Sequence, residues 1–158
     1  SLLLYRDSFG EALIPLLSTN LGRAVYSQEF PYNLELNDES YGMIMIELVE
    51  RNIPNLLTGA PLMQASEKQL PTDAVSVSCT ANAQKRSGFT QLYGSIAAYP
   101  AAERIYIEVA CTDGAVRVYE AFPVNDSGDA DPAWESASGY LLTLPEGIEG
   151  KVSGAYIG

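Results

Sequence analysis

The sequence predicts two regions of different architecture: a partial three-layer α/β region with a parallel sheet, followed by an all-β antiparallel sandwich. Apolar residues recur at helix and buried-strand spacing in the first sixty positions, whereas after residue 74 they alternate with polar ones. Residues 61–74 contain two prolines and are interpreted as a linker. We therefore expect an α/β domain over residues 1–60 and a β-sandwich domain over residues 75–158.

The first region alternates strand and helix. Residues 2–5 form a short apolar run that is typical of a strand buried on both faces. Residues 8–21 carry apolar side chains at helical spacing, and residues 24–26 suggest a second strand. Residues 43–49 form the clearest strand, and residues 52–57 suggest a short helix. Because three strands are few for a doubly wound domain, the sheet is expected to be incomplete.

The second region shows short alternating runs separated by turn residues, which is typical of an antiparallel sandwich. Six strands are expected, at 75–79, 91–98, 105–112, 116–119, 140–144 and 152–157. Asp113 and Gly114 lie between two of these runs and predict a two-residue hairpin turn. That turn would place Val109 opposite Val118, with the apolar residues of both strands on one face.

Composition narrows the classes of partner. The chain has 158 residues, of which 47% are hydrophobic and 18% charged, as in a globular protein. Nine basic and twenty acidic residues give a net charge of −11, which argues against binding to nucleic acid. Since no apolar run approaches the ~18 residues of a membrane span, we expect no membrane insertion by this segment.

The chain contains no histidine and two cysteines. A Ser–His nucleophilic pair cannot be assembled within it, and neither can a His-based or four-cysteine zinc site, so we expect no metal and no cofactor. Cys79 and Cys111 both fall at inward positions of their strands. A disulfide across the sandwich and two buried free thiols both remain open.

Ser8 is the most informative residue for function. It follows a buried strand and precedes a helix, which places its hydroxyl at the carboxyl edge of a parallel sheet, where open α/β folds bind ligands. The alternative is structural, because Ser8 and Glu11 match a capping box in which the hydroxyl only satisfies a backbone N–H. Both roles can coexist at a helix start.

Two blocks carry a resemblance to a known family. Residues 4–10, Leu-Tyr-Arg-Asp-Ser-Phe-Gly, followed by Ala-Leu-Ile-Pro at 12–15, resemble the serine block of SGNH-like proteins with a DHHW motif, relatives of the alginate O-acetylation proteins. Residues 43–52, a hydrophobic strand that closes in Glu-Arg-Asn, resemble the next block of that family. The likeness covers about the first 60 residues and implies the C-terminal part of an SGNH-like α/β domain.

The resemblance implies specific roles. Ser8 would be the nucleophile and Asp7 a supporting residue, with further support from Arg6, Glu50 and Arg51. In the family, the Asp and His come from a motif upstream of the serine block, and this sequence starts at that block. The resemblance therefore implies a truncated protein that is inactive alone, whose full-length form transfers or removes acetyl groups on a polysaccharide, at an extracellular or cell-surface location.

Two smaller patterns of charged residues have structural and functional interpretations. Glu47, Glu50 and Arg51 follow the best strand and favour a salt-bridged strand end over a functional cluster. The acidic loop 125–131 could offer oxygen ligands to calcium, but a solvated loop is favoured because the spacing is not that of an EF-hand.

Aromatic residues of the second region suggest a weak glycan-binding surface. Tyr106 and Tyr119 are expected on the outward face of the predicted hairpin, and Trp134 adds a third ring. Cross-strand stabilisation of the sheet is the favoured interpretation. Two rival functions therefore remain: a non-catalytic surface module whose β-sandwich binds glycan or protein, and a structural role with self-association through the incomplete sheet.

Overall fold

A computed structural model of the chain describes residues 1–35, 40–97, 104–125 and 138–158. A small parallel sheet lies in the first region and a large antiparallel sheet in the second. The predicted change from a parallel to an antiparallel architecture is therefore confirmed. None of the helices in the described ranges is long and apolar enough to cross a membrane.

The parallel sheet has three strands in the order β2-β1-β3, with bounds β1 (Leu2–Tyr5), β2 (Ala24–Ser27) and β3 (Met43–Ile46). Both pairings with the central β1 are parallel. Every residue of β1 is buried, as its apolar sequence predicts. Because the carboxyl ends of parallel strands meet at one edge, the turns that follow β1 and β3 lie side by side.

The predicted helix over residues 8–21 is divided into two pieces. A 3-10 helix spans Phe9–Leu13, and α1 spans Ile14–Asn20. Pro15 lies in the first turn of α1, where its missing N–H breaks no helical hydrogen bond. A second 3-10 helix, Glu50–Leu57, follows β3 in place of the short helix predicted over residues 52–57.

Eight strands of the described residues form the large antiparallel sheet. They are β4 (Glu67–Lys68), β5 (Val75–Val77), β6 (Asn82–Arg86), β7 (Phe89–Ser95), β8 (Ile105–Cys111), β9 (Val116–Val124), β10 (Gly139–Thr143) and β11 (Gly150–Ile157). The hydrogen-bonded order is β5-β11-β8-β9-β10-β7-β6, with β4 paired to β9. The antiparallel β prediction is confirmed.

The large sheet curls back on itself. Its two ends in the hydrogen-bonded order, β5 and β6, are consecutive in the chain. In the segment between β5 and β6, Cys79 forms an isolated β-bridge with Ile96, and Thr80 N–H donates to Ser95 C=O at 2.9 Å. One continuous sheet therefore wraps a single core, where the prediction had two separate packed sheets. The core contains Leu92, Ile105, Ile107, Val109, Tyr119, Tyr140, Leu142 and Leu144.

The hairpin at residues 113–114 forms with a different loop from the predicted one. Gly114 N–H donates to Cys111 C=O at 3.0 Å, and Cys111 N–H donates to Ala115 C=O at 2.8 Å. The loop therefore contains three residues, with Gly114 at φ +86° in the left-handed region. A type I turn closed by such a glycine is the usual three-residue hairpin, so the predicted two-residue turn is wrong.

The additional loop residue shifts the strand register by one. Val109 pairs with Arg117, whereas the prediction paired it with Val118. Tyr119 pairs with Ile107 and therefore faces the core.

Residues 61–74, interpreted as a linker, hydrogen-bond to both regions. Leu62 forms an isolated β-bridge with Asn33 beside the small sheet, and Gln64 forms one with Thr143 of β10. A further contact between the regions is the hydrogen bond from Asn125 N–H to Leu57 C=O, at 2.8 Å. Cys79 and Cys111 are free thiols, Cys111 being buried.

Candidate functional site

Ser8 lies beyond the carboxyl end of β1, as predicted, and its side chain is exposed. The residue has helical backbone angles, φ −63° and ψ −23°, and makes no side-chain capping hydrogen bond. The predicted capping box with Glu11 is therefore wrong. The Ser8 hydroxyl is not committed to the backbone of the first turn.

Asp7 performs the capping role that Ser8 does not. Its Oδ1 accepts a hydrogen bond from Phe9 N–H at 2.8 Å. Its Oδ2 accepts one from Val49 N–H at 3.0 Å and a longer one from Asn52 Nδ2 at 3.4 Å. The carboxylate therefore joins the serine turn to the segment after β3.

These hydrogen bonds also set the charge of Asp7. They lower its pKa below the ordinary 3.8, chiefly through the N–H of Val49, against burial, which raises it; the backbone N–H groups of Phe9 and Gly10 contribute less. A carboxylate that remains ionised and fully hydrogen-bonded is a weak proton acceptor. Asp7 is thus suited to holding the turn in place, and not to deprotonating Ser8.

Gly10 allows two charged side chains to pack beneath the serine turn. A Cβ at Gly10 would collide with Glu47 Oε2 and lie 2.8 Å from Arg6 Cβ. Arg6 Nη1 donates to the Asp7 C=O at 3.0 Å. Arg6 Nε and Glu47 Oε2 are buried and have no hydrogen-bond partner among the described residues. The site therefore contains polar groups whose hydrogen-bonding capacity is unused, which is costly in a buried position.

A cleft of about 300 Å³ opens in front of Ser8. Three segments form it: the serine turn, the chain after β2, and the segment after β3. The lining residues are Arg6, Asp7, Ser8, Gln28, Phe30, Tyr32, Leu48, Asn52 and Asn55. The cleft thus brings together Arg6, Asp7 and Ser8 of the predicted site with an aromatic and amide-rich wall that the sequence did not indicate.

Glu50 and Arg51 are exposed and do not line this cleft. Arg51 lies over the ring of Phe9, with its guanidinium carbon 5.0 Å from the ring centroid. Within the described ranges no salt bridge joins Arg51 to Glu47 or Glu50, so the predicted salt-bridged strand end is wrong. Arg51 packs on an aromatic face, a contact that Arg makes readily.

The predicted outward-facing aromatic pair is also wrong. Tyr119 is 1% exposed and Tyr106 is 6% exposed, so neither offers a ring face to a sugar. The one-residue register shift explains Tyr119, which points into the core. Trp134 lies outside the described residues, as does most of the acidic loop, residues 126–131. The described residues contain no cluster of three or more potential metal ligands.

Comparisons with known proteins add no assignment: no family model, curated protein or solved structure matches this chain.

Sequence reasoning missed Gln28, Phe30, Tyr32 and Asn55, because they come from irregular segments without a recognisable pattern. Their place in the chain could have indicated them, since residues 28–32 follow β2 at the same carboxyl edge of the sheet as Ser8.

Proposed function

We propose that this chain is the C-terminal part of an extracytoplasmic SGNH-like serine esterase or O-acetyltransferase that acts on a cell-surface or exported polysaccharide. One observation carries the proposal: an exposed serine hydroxyl, free of any capping bond, lines a cleft at the carboxyl end of the central strand of a parallel sheet. The family resemblance of residues 4–15 and 43–52 supports the same role.

The proposed chemistry is acyl transfer through Ser8. The hydroxyl oxygen attacks the carbonyl carbon of an acetyl ester, its proton passes to a general base, and the sugar alcohol leaves with a proton returned by that base. Water or a second sugar hydroxyl then takes the acetyl group. Asn52 lines the same cleft and has a second amide N–H besides the one that contacts Asp7, so it is a candidate donor to the developing oxyanion.

The general base would come from outside these residues. The sequence contains no histidine, and the ionised Asp7 carboxylate is occupied by backbone and amide hydrogen bonds. The 158-residue chain is therefore proposed to be inactive alone and to be completed by an Asp/His-bearing segment of the full-length protein.

A non-catalytic surface module is the second candidate, in which Ser8 is part of the scaffold and the protein binds glycan or another protein. The absence of histidine favours it. Self-association through the incomplete sheet is a third. It is supported by β3, an edge strand whose Met43, Met45 and Ile46 side chains are exposed.

The test compares acetyl-ester hydrolysis and acetyl transfer by the full-length protein with those of its Ser8→Ala variant. The proposal predicts a loss of turnover of at least about a thousandfold, the scale on which nucleophile removal acts. Thr19→Ala is a suitable control, since that hydroxyl is exposed and, among the described residues, bonds only to the C=O of Pro15 within α1. Unchanged turnover in Ser8→Ala would exclude Ser8 as the nucleophile, and a full-length protein without any turnover would favour the non-catalytic module.

A further inference from the structure

Phe30 is an aromatic side chain that is both exposed and firmly positioned. It lines the Ser8 cleft with 42% of its surface exposed. Its ring meets Tyr32 edge-on, with centroids 5.4 Å apart and planes at 89°. Tyr32 in turn packs against Tyr5 of β1, with centroids 5.3 Å apart. The exposed ring is therefore anchored to the central strand of the small sheet.

Gly59 fixes the ring from another side. A Cβ at this glycine would lie 2.5 Å from Phe30 Cε1 and 2.8 Å from Cζ, so the ring rests directly on the glycine backbone. An aromatic ring held in this way offers apolar surface to a ligand at little further loss of conformational entropy. The contact also means that Gly59→Ala should displace the ring without removing it.

The wall beside Phe30 carries amide side chains. Gln28, Asn52 and Asn55 all line the cleft. Of these, Gln28 and Asn55 make no side-chain hydrogen bond within the part of the chain that the structure describes, whereas Asn52 is turned toward Asp7. Because each amide both donates and accepts, it can pair with a hydroxyl group in either orientation.

The charges at the cleft do not favour an anionic ligand. Among the described residues, Arg6 is the one cationic residue of the lining, where the Asp7 carboxylate also lies, and Glu47 packs beside it. Burial raises the pKa of Tyr32, and the negative charges of Asp7 and Glu47 raise it further. The described charged groups at the cleft are therefore one cation, Arg6, and two carboxylates, Asp7 and Glu47, in a protein whose net charge is already −11.

We infer that this cleft binds an uncharged sugar ring, stacked on Phe30 and hydrogen-bonded through its hydroxyls to Gln28 and Asn55, and that it discriminates against uronic acids. A rigid aromatic surface with a few convergent polar groups is the usual composition of a small-ligand site. The inference rests on the proposed function for the identity of this cleft as the substrate site, but binding itself needs no turnover.

The test uses unesterified oligosaccharides, so that no acyl chemistry is involved. Mannopentaose and cellopentaose are titrated into the isotope-labelled chain, each beside its C6-oxidised uronate counterpart, and amide chemical shifts are followed by NMR. At least one neutral oligomer should bind, with chemical-shift changes centred on residues 28–32 and 52–59. Its uronate counterpart should bind at least about tenfold more weakly. Equal or tighter uronate binding, shifts located elsewhere, or binding by neither neutral oligomer would overturn the inference.

Matched variants assign the binding to Phe30. Phe30→Ala and Gly59→Ala should each weaken neutral-sugar binding about fivefold or more, by removing and displacing the ring respectively. Phe9→Ala, which removes a 57%-exposed ring outside the cleft, and Gly22→Ala, whose Cβ meets open space, should leave it unchanged. Full affinity in both Phe30→Ala and Gly59→Ala contradicts the inference. Because these titrations contain no ester, inactive Ser8 chemistry and absent sugar binding are separate results.

Discussion

The two sheets bury similar apolar strands to very different extents. In β8, Ile107 and Val109 are completely buried, whereas in β3, Met43 is 57% exposed and Ile46 is 39% exposed. Both strands are rich in apolar residues, but β8 lies between β11 and β9, while β3 is the edge of a three-stranded sheet. Position in the sheet, and not strand hydrophobicity, decides how much apolar surface leaves water.

Polar groups differ between the two regions in the same way. In the large sheet, the completely buried Gln91 donates to Thr143 at 3.0 Å and accepts from Gln84 at 3.0 Å. Beneath the serine turn, by contrast, Arg6 Nε and Glu47 Oε2 are buried without a partner among the described residues. The buried amide of Gln91 is thus fully paired, while the groups beneath the serine turn keep hydrogen-bonding capacity unused, as is common at functional sites.

The largest expected effect is in the core of the large sheet. Leu142 is 1% exposed, and Leu142→Ala should lower the free energy of unfolding by about 2–5 kcal/mol through lost burial and the cavity left behind. Urea denaturation measures the change. Val116→Ala, at a 62%-exposed position of the same sheet, should stay within about 0.5 kcal/mol. Similar losses at both positions would contradict a core confined to the inner face.

The closure of the large sheet depends on Gly94. A Cβ at this position would collide with the Thr80 C=O, where the chain between β5 and β6 crosses β7. We expect Gly94→Ala to cost about 1–3 kcal/mol, as other overpacking changes do, and to lower the Tm. Gly22→Ala, with no neighbouring atom within 4 Å, is the control. Equal Tm values for the two variants would argue against the crossing.

Tyr140 should make the stability of the large sheet fall at alkaline pH. It is completely buried, its hydroxyl donates to Thr80 C=O at 2.9 Å, and burial raises its pKa to about 12 from 10.0. Its contribution is therefore full below pH 10 and is lost as the pH rises from 10 through about 12. Tyr140→Phe should lower stability at pH 7 by about 1 kcal/mol and make the alkaline loss shallower. An unchanged alkaline slope would contradict this assignment.

Asp7 should make the stability of the small sheet fall at acidic pH. Because its pKa is lower in the folded than in the unfolded protein, its contribution is present above pH 3.8 and is lost as the pH falls through the folded pKa. Asp7→Asn should increase hydrogen exchange at the Phe9 and Val49 amides at neutral pH and reduce the acid dependence of stability. Glu11→Gln, an exposed change, should do neither. Protection of both amides in Asp7→Asn would show that the carboxylate does not hold the turn.

The sequence indicated β1 and most strands of the large sheet because their apolar periodicity matches their burial. It indicated β3 from its apolar run alone, since three of the four residues of that strand are exposed. It did not indicate β6, whose five residues, Asn82–Arg86, are all exposed and carry no apolar pattern. Strand formation there depends on pairing with β7, which is a tertiary effect. The hairpin register was wrong for a similar reason, since Asp113-Gly114 is compatible with loops of two and three residues.

At the candidate site, the sequence located Ser8 and Asp7 but exchanged their structural roles. Serine and aspartate are both good helix caps, so spacing could not decide which side chain would bond to the first turn. Phe30 could not be found from sequence, because only the packing of Tyr32 and Gly59 shows that its ring is fixed beside Ser8.

The central claim, that the Ser8 hydroxyl is a nucleophile, is tested most directly by covalent labelling. The full-length protein is treated with a fluorophosphonate, and the modified residue is located by mass spectrometry of its peptides. We predict a single phosphonylated serine, Ser8, whose labelling is prevented by prior incubation with an acetylated oligosaccharide. Labelling of other serines with Ser8 unmodified, in a protein that hydrolyses acetyl esters, would contradict the account.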